Sequence, residues 1–376
     1  MQRGKSHAAF FGRKFRTAIL SCLIGGMLFD AFSVRKTLLT AVGICCVGTT
    51  KRSIQNMKIV IIDDSIVNPG DLSWKQIEKF GELKVYTTGS RDRDELIRRA
   101  SDADIIIADP PDVPHGLIEA CPRLRGIFLL ATGYDPIDLE AAKKRGIPVC
   151  NVPSYGTASV SQFAISLLLA ICSNTDFYSG KVHEGIWLNR TNEIIGEHRL
   201  IELEGKTMGI IGFGRIGQRV GLIAKAMGMN IIAYNRSQND AGRAIGEYVS
   251  LDELFERADV ISLHAPLNEQ SRHIINAAAI EKMKDGVIII NNGRGGLIDS
   301  KALADALISR KVYAAGLDVV DGEPIAPDDP LLKAPHCIIT PHISWLPKEA
   351  RQKIVDCCEE NIQAFLDGKP KNNVAV

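Results

Sequence analysis

Charge of one sign is what this sequence most plainly lacks: 45 Lys and Arg stand against 44 Asp and Glu in 376 residues. Such a balance sets up no field to draw the chain to nucleic acid or to an acidic membrane surface, so a small soluble partner is expected. Paired cysteine is missing too. None of the nine cysteines forms a CxxC pair, and most sit in apolar surroundings where a thiol behaves as a small hydrophobe. That excludes a disulfide framework and a zinc site, so no metal is expected and a reducing, cytoplasmic setting fits. Also absent is an unbroken apolar stretch of the roughly 20 residues that a membrane-spanning helix needs. The apolar stretches 15–32 and 38–47 are interrupted by Asp30 and by Arg35-Lys36. There is no internal repeat and no low-complexity tract, which excludes a solenoid and a compositional linker.

The even charge hides an uneven distribution. Residues 1–56 carry nine Lys/Arg and one acid, Asp30, which leaves 36 basic against 43 acidic residues in the remainder. A basic start followed by a short apolar run resembles a signal or transit peptide, yet no small-x-small cleavage site precedes Met57. The expectation is an extension derived from an upstream start, with Met57-Lys-Ile-Val-Ile-Ile-Asp63 opening the folded protein. The total length suffices for two domains of ordinary size.

From Met57 onward short apolar runs alternate with longer amphipathic ones, the pattern of a parallel α/β protein. Strands are expected at 58–62, 83–86, 105–108, 127–131 and 148–152, and after them an apolar helix at 159–171 and a polar region at 174–205. A second α/β domain then begins, with strands at 230–234, 260–263, 287–291, 314–318 and 337–340.

The most informative stretch opens that second domain. Lys206-Thr-Met-Gly-Ile-Ile-Gly-Phe-Gly-Arg-Ile-Gly-Gln-Arg219 is a short apolar strand that breaks into glycines and runs into a helix. In a dinucleotide site of this form Gly212 permits the tight turn, Gly214 lets backbone N–H groups approach a pyrophosphate, and Gly217 lets the helix pack on the strand. The helix N-terminus, with Arg215 and Ile216 in its first turn, then faces the phosphates.

Ligands of open α/β sheets bind outside the carboxyl ends of strands. The turns His264-Ala265-Pro266, 291–296, 318–324 and 341–345 are therefore expected to converge on one crevice. Arg294, between glycines directly after a strand, suits a carboxylate bound through two parallel hydrogen bonds. His342 follows the strand 337–340, whereas the rival His336 precedes it and belongs at the opposite edge. Glu323, in another strand-end turn, is the carboxylate to pair with His342, orient it and raise its pKa into the range of a general acid/base.

The combination Gly212-Phe-Gly-Arg-Ile-Gly217, Asn291-Asn-Gly-Arg-Gly295, Gly316-Leu-Asp-Val-Val-Asp-Gly-Glu-Pro324 and Pro341-His342 resembles the D-isomer-specific 2-hydroxyacid dehydrogenases. The resemblance runs from about Met57 to the C-terminus and is closest to glycerate dehydrogenases, also called hydroxypyruvate reductases. It implies two Rossmann-like or flavodoxin-like α/β domains with parallel sheets and the active site in the cleft between them. Residues 57–155 with 346–376 would form the substrate domain and 156–345 the dinucleotide-binding domain, with an amphipathic run at 349–365 returning to the first. It further implies Arg294, Glu323 and His342 as the catalytic set, Asp318 near the nicotinamide carboxamide, and Thr132-Gly133 amides on the substrate carboxylate. Trp345 and Tyr134 are candidates for lining the pocket. Members are commonly homodimers through the cofactor domain.

In one respect the chain departs from the NAD-preferring pattern. The acidic residue that ends the second strand of the nucleotide domain and binds the ribose 2′-hydroxyl is replaced by Asn235, followed by Arg236 and Ser237. With the carboxylate gone and a guanidinium available for a 2′-phosphate, NADP(H) is expected ahead of NAD(H). The alternative has Asn235 accepting from the ribose hydroxyls of NAD. Two other outcomes belong to the same superfamily, a phosphoglycerate dehydrogenase without a regulatory domain and an NAD(H)-sensing corepressor; the absence of a long segment after the last expected helix counts against both.

Overall fold

Ile105-Ile-Ile-Ala108 and Val287-Ile-Ile-Ile-Asn291 have no polar face to give to water, and both are buried along their whole length. Only a parallel sheet covered on both sides uses such strands, and the chain builds two. In this computed structural model residues 57–188, 196 and 198–376 are described; the basic extension of residues 1–56 lies outside them.

The first sheet contains β1 (Lys58–Ile61), β2 (Glu82–Val85), β3 (Ile105–Ala108), β4 (Gly126–Leu129) and β5 (Val149–Cys150) in the order β2-β1-β3-β4-β5. The second contains β6 (Thr207–Ile211), β7 (Asn230–Tyr234), β8 (Glu247–Tyr248), β9 (Val260–Leu263), β10 (Val287–Asn291), β11 (Val312–Leu317) and β12 (Cys337–Ile339) in the order β12-β11-β10-β9-β6-β7-β8. All strand pairs are parallel. The first order is that of a flavodoxin-like sheet and the second that of a Rossmann sheet, and each reverses direction once, between β1 and β3 and between β6 and β9. Ligand crevices open at such reversals, outside the carboxyl ends of the strands.

Expected and observed strands agree to within a residue or two at most ends, with instructive exceptions. The strand expected at 148–152 keeps only Val149–Cys150, because Asn151 and Val152 turn away to bond Asn372 O and Ala131 O, both by backbone N–H. β8 was not expected, being too short to show an alternation. A helix, Thr175–His183, stands in the stretch expected only to be polar; none of its residues is buried, so it carries no apolar period to read.

The long helix Thr157–Ser173 follows the first sheet in sequence but packs on the second, against the helix Arg215–Ala226 and against β10 and β11. The last helix, Lys348–Leu366, makes the opposite journey. It leaves the end of the second sheet and covers the first, where Phe365 meets Phe128 edge to face at 5.7 Å and Asn361 Nδ2 donates to Asn151 O at 3.0 Å. Arg351 fixes its first turns. Its guanidinium donates to both carboxylate oxygens of Asp71 at 2.7 and 2.8 Å, to Val67 O at 3.0 Å and to Leu346 O at 2.7 Å. Among the described residues no single helix is long and apolar enough to cross a membrane.

Replacing Arg351 by Met keeps the aliphatic packing but strips Asp71 and two carbonyls of their donor. We expect a loss of about 2–3 kcal/mol in urea unfolding. Lys79→Ala, which removes an exposed ion pair between the same helix and the first sheet's flank, is expected to cost less than about 1 kcal/mol.

Candidate active site

The two strand reversals bring the loops of interest together. After β6 the chain turns at Gly212 with φ of 93°, in the left-handed region that favours glycine. A side chain there would strike the backbone of His264 and Ala265, at the end of β9. Gly217 is equally confined, since a Cβ would meet the carbonyl of Gly212, which holds the helix Arg215–Ala226 against the strand. Gly214 differs: open space lies where its Cβ would be. The N–H groups of Gly214, Arg215 and Ile216 donate to no acceptor among the described residues, as the first turn of a helix leaves them. Free donors around an open glycine fit a pyrophosphate.

The other residues expected at a nucleotide surround this loop less uniformly. Arg215 points its guanidinium away from the loop, donating to Pro153 O at 2.8 Å, while Ile216 packs into the core behind it. Asn235, just after β7, has its amide turned inward: Oδ1 accepts from Phe213 N–H at 3.1 Å and Nδ2 donates to Ser237 O at 2.6 Å. Arg236 and Ser237 are exposed, and Arg236 has no acidic partner among the described residues. His264 is held by Ser262 Oγ at 2.8 Å, burial pushes its pKa down to about 4, and Pro266 O accepts from Ser271.

The chemical groups stand where β10, β11 and β12 end. Gly295 is pressed so closely on the backbone of Val320 and Asp321 that no side chain fits there, which locks the Arg294 turn to the turn that carries Glu323. Val320 N–H donates to Glu323 Oε1 at 3.3 Å, and Glu323 Oε2 meets His342 Nδ1 at 2.8 Å. The pairing expected from topology is therefore present. Burial on its own would lower the His342 pKa, but its hydrogen bond and attraction to Glu323, helped by Asp318, outweigh burial and the opposing Arg294 and raise it. Burial likewise would raise the Glu323 carboxyl, and the bond to His342 with its charge brings it below the ordinary value.

His342 sits in the left-handed region, with φ of 55°, an arrangement uncommon for a residue with a Cβ. Asp318 accounts for it. Its carboxylate is completely buried and accepts from Thr340 Oγ1 at 2.7 Å, Ile343 N–H at 2.9 Å and Ser344 N–H at 2.9 Å, while its carbonyl accepts from His342 N–H at 2.8 Å. The turn is wound round this carboxylate. The rival His336 is placed at the amino edge of β12, stacked on Tyr313, as its position in the sequence requires.

Arg294 reaches across to the first sheet. Its guanidinium lies on Gly133, where any side chain would collide with it, and Nη2 is 3.7 Å from Asp135. The N–H groups of Thr132 and Gly133 donate to no acceptor among the described residues, while Thr132 is fixed through its hydroxyl to Val152 O at 2.6 Å. Cation and free amides thus face one another, the requirement for holding a carboxylate. Tyr134 follows at 40% exposure, and Trp345 is half-buried beside the His342 turn.

Two polar side chains here were not singled out in the sequence. Both amide atoms of Asn292 are buried without a partner, directly between β10 and Arg294; a buried amide in that state is an offer to a ligand. Asp109 follows β3 at the reversal of the first sheet, and the 3₁₀ turn that it precedes receives no cap from its side chain. The described residues contain no group of three His, Cys, Asp or Glu able to hold a metal ion. What the site can do is bind a small carboxylate across two sheets and present a proton to it beside a dinucleotide loop.

Comparison with known proteins agrees with this geometry. Residues 165–344 match the family model described as D-isomer specific 2-hydroxyacid dehydrogenase, NAD binding domain. The chain is 51% identical over 320 residues to the hydroxypyruvate reductase of Blautia hydrogenotrophica, covering 85% of this chain and 99% of that one. Among solved structures it is similar to an acyclic imino acid reductase in complex with NADPH and D-Arg, at 31% identity and a TM-score of 0.74, covering 85% of this chain and all of that one. It is similar also to the D-lactate dehydrogenase of Aquifex aeolicus complexed with NAD and lactic acid, at 30% identity and a TM-score of 0.71, over 83% and 96% of the two chains.

The raised basicity of His342 is directly measurable. Titrated by NMR, its imidazole is expected to keep its proton above the ordinary midpoint of about 6.5, and Glu323→Gln is expected to bring the midpoint down. An unchanged midpoint in that variant would contradict the pairing.

Proposed function

The chain belongs to the D-isomer-specific 2-hydroxyacid dehydrogenases, and from that membership we propose that it reduces a small 2-keto acid, hydroxypyruvate to D-glycerate or glyoxylate to glycolate. The observation that carries the reading is the Glu323–His342 pair at 2.8 Å, within a crevice that also holds Arg294 against the free amides of Thr132 and Gly133. A nicotinamide, when bound, supplies the hydride to the keto carbon. The substrate carboxylate rests on the two amides and on Arg294, which also polarises the keto oxygen. His342 donates its proton from Nε2 to that oxygen as charge develops there, and Glu323 on the other ring nitrogen keeps the imidazole protonated until then. In the oxidative direction the same pair receives the proton. The similarity to a hydroxypyruvate reductase at 51% identity supports this substrate class.

In this reading residues 57–155 with 346–376 hold the substrate and residues 156–345 hold the cofactor, consistent with the two sheets. Gly212, Gly214 and Gly217 admit the pyrophosphate to the N–H groups of Arg215 and Ile216, the turn His264-Ala265-Pro266 flanks it, and Asp318 and Asn292 stand near the nicotinamide end. The phosphorylated cofactor is favoured. Asn235 already engages both ends of its amide with Phe213 and Ser237, while Arg236 beside it is exposed and has no acidic partner among the described residues. A homodimer through the cofactor domain and a cytoplasmic location complete the proposal.

Catalytic efficiency on hydroxypyruvate, glyoxylate, pyruvate and 3-phosphohydroxypyruvate tests the reading. One of the first two should lead; turnover far below 1 s⁻¹ on all four would favour a sensing role instead. His342→Ala is expected to cost on the order of 100-fold or more in kcat, with KM much less affected. On a single substrate NADPH should outperform NADH, and Arg236→Ala should lower efficiency with NADPH about 5- to 10-fold while leaving NADH nearly unchanged. A clear NADH preference in the unaltered chain would defeat the cofactor assignment.

A further inference from the structure

We propose that Asp109 selects the substrate by its third carbon: the carboxylate accepts a hydrogen bond from the C3 hydroxyl of hydroxypyruvate and turns away substrates that carry a negative group there. The inference rests on the functional reading above and deepens it.

The position comes first. β3 and β1 are the strands between which the first sheet reverses, and Asp109 is the residue that leaves β3. Leu130 N–H donates to Ala108 O at 2.9 Å, so Asp109 stands beside the Ala131-Thr132-Gly133 turn on which Arg294 lies. Tyr155 reports the same neighbourhood: burial raises its phenol, Asp109 raises it further and Arg294 opposes. A 2-keto acid with its carboxylate on Thr132, Gly133 and Arg294, and its keto oxygen toward His342, has one substituent left. In that arrangement the remaining substituent would be directed to the carboxyl edge of the first sheet, where Asp109 follows β3.

The chemistry follows from what the carboxylate does not do. An aspartate just before a helical turn ordinarily accepts from the backbone N–H groups that open it, but the turn Pro110–Asp112 receives no such bond from Asp109. Nor does any other donor among the described residues reach it. The neighbouring acids are engaged: Asp63 accepts from Ser65 N–H at 2.8 Å and Ser90 N–H at 3.2 Å, and Asp112 pairs with Arg91 at 2.9 Å. Burial pushes the Asp109 carboxyl up to about 6, against Arg91 and His342, with Asp63 adding to the rise. The carboxylate is thus half-buried and, among the described residues, short of donors. A hydroxyl supplies what it lacks; a phosphate supplies a second negative charge beside the first. Glyoxylate, with hydrogen in place of the hydroxymethyl group, is indifferent to it.

The test uses the full chain and three substrates. Relative to the unaltered enzyme, Asp109→Ala is expected to lower kcat/KM for hydroxypyruvate about 10-fold or more, the worth of a hydrogen bond to a charged acceptor, and that for glyoxylate by less than about 3-fold. Asp109→Asn, which keeps the shape and loses the charge, should raise kcat/KM for 3-phosphohydroxypyruvate and serves if the alanine variant does not fold. An unchanged ratio of hydroxypyruvate to glyoxylate, or an equal fall for both, overturns the assignment. Failure of the unaltered chain to reduce any of the three overturns the functional reading itself, and the inference with it.

Discussion

The carboxylate of Asp318 is the constraint on which the rest of the site depends. A completely buried carboxylate costs several kcal/mol unless donors surround it. Here the donors are the Thr340 hydroxyl and the N–H groups of Ile343 and Ser344. Two backbone amides that close together reach one carboxylate only if the chain doubles back, and His342 takes the left-handed conformation at that point. Its ring is thereby set facing Glu323. Glu323 is in turn placed by its own turn, which Gly295 admits to contact with the Arg294 turn. Imidazole, carboxylate and guanidinium are thus positioned through backbone, with little left to side-chain rotation.

Much of this was legible in the sequence because it rests on period and on sheet direction. Apolar strands such as Ile105–Ala108 and Val287–Asn291 leave no alternative to burial, and in a parallel sheet every strand delivers its following turn to the same edge. Glu323 and His342 are brought to one edge for that reason, and His336 to the opposite one. The glycines were legible because each has a separate steric task. What escaped was the direction in which ordinary-looking polar residues point. Asp109 before two prolines reads as a turn or cap residue, and only the missing cap bond reveals a carboxylate left over. Asn292 next to Asn291 reads as one more strand-end amide, although the Asn291 side chain is bonded to Arg294 O and Gly293 N–H while that of Asn292 has no partner among the described residues. The helix Thr175–His183 escaped for a different cause, since a helix without a buried face leaves no imprint of its period.

The overall charge balance also has a local meaning. A chain with no net field does not gather anions from a distance, so selectivity for an acid must be built at short range. Under the proposed function Arg294 over Gly133, beside two amides without an acceptor among the described residues, is such a device, and its charge is only lightly committed to Asp135 at 3.7 Å.

The route of the chain between its sheets divides the site unequally. Arg294, Glu323 and His342 all grow from the second sheet, whereas Gly133 and Asp109 grow from the first, and the helices Thr157–Ser173 and Lys348–Leu366 each begin near one sheet and settle on the other. A rotation of one sheet away from the other would therefore leave the Glu323–His342 pair assembled, and would part only Arg294 from the Gly133 turn. Under the proposed function the source of the proton belongs to one sheet alone, while the grip on the acid is shared by two.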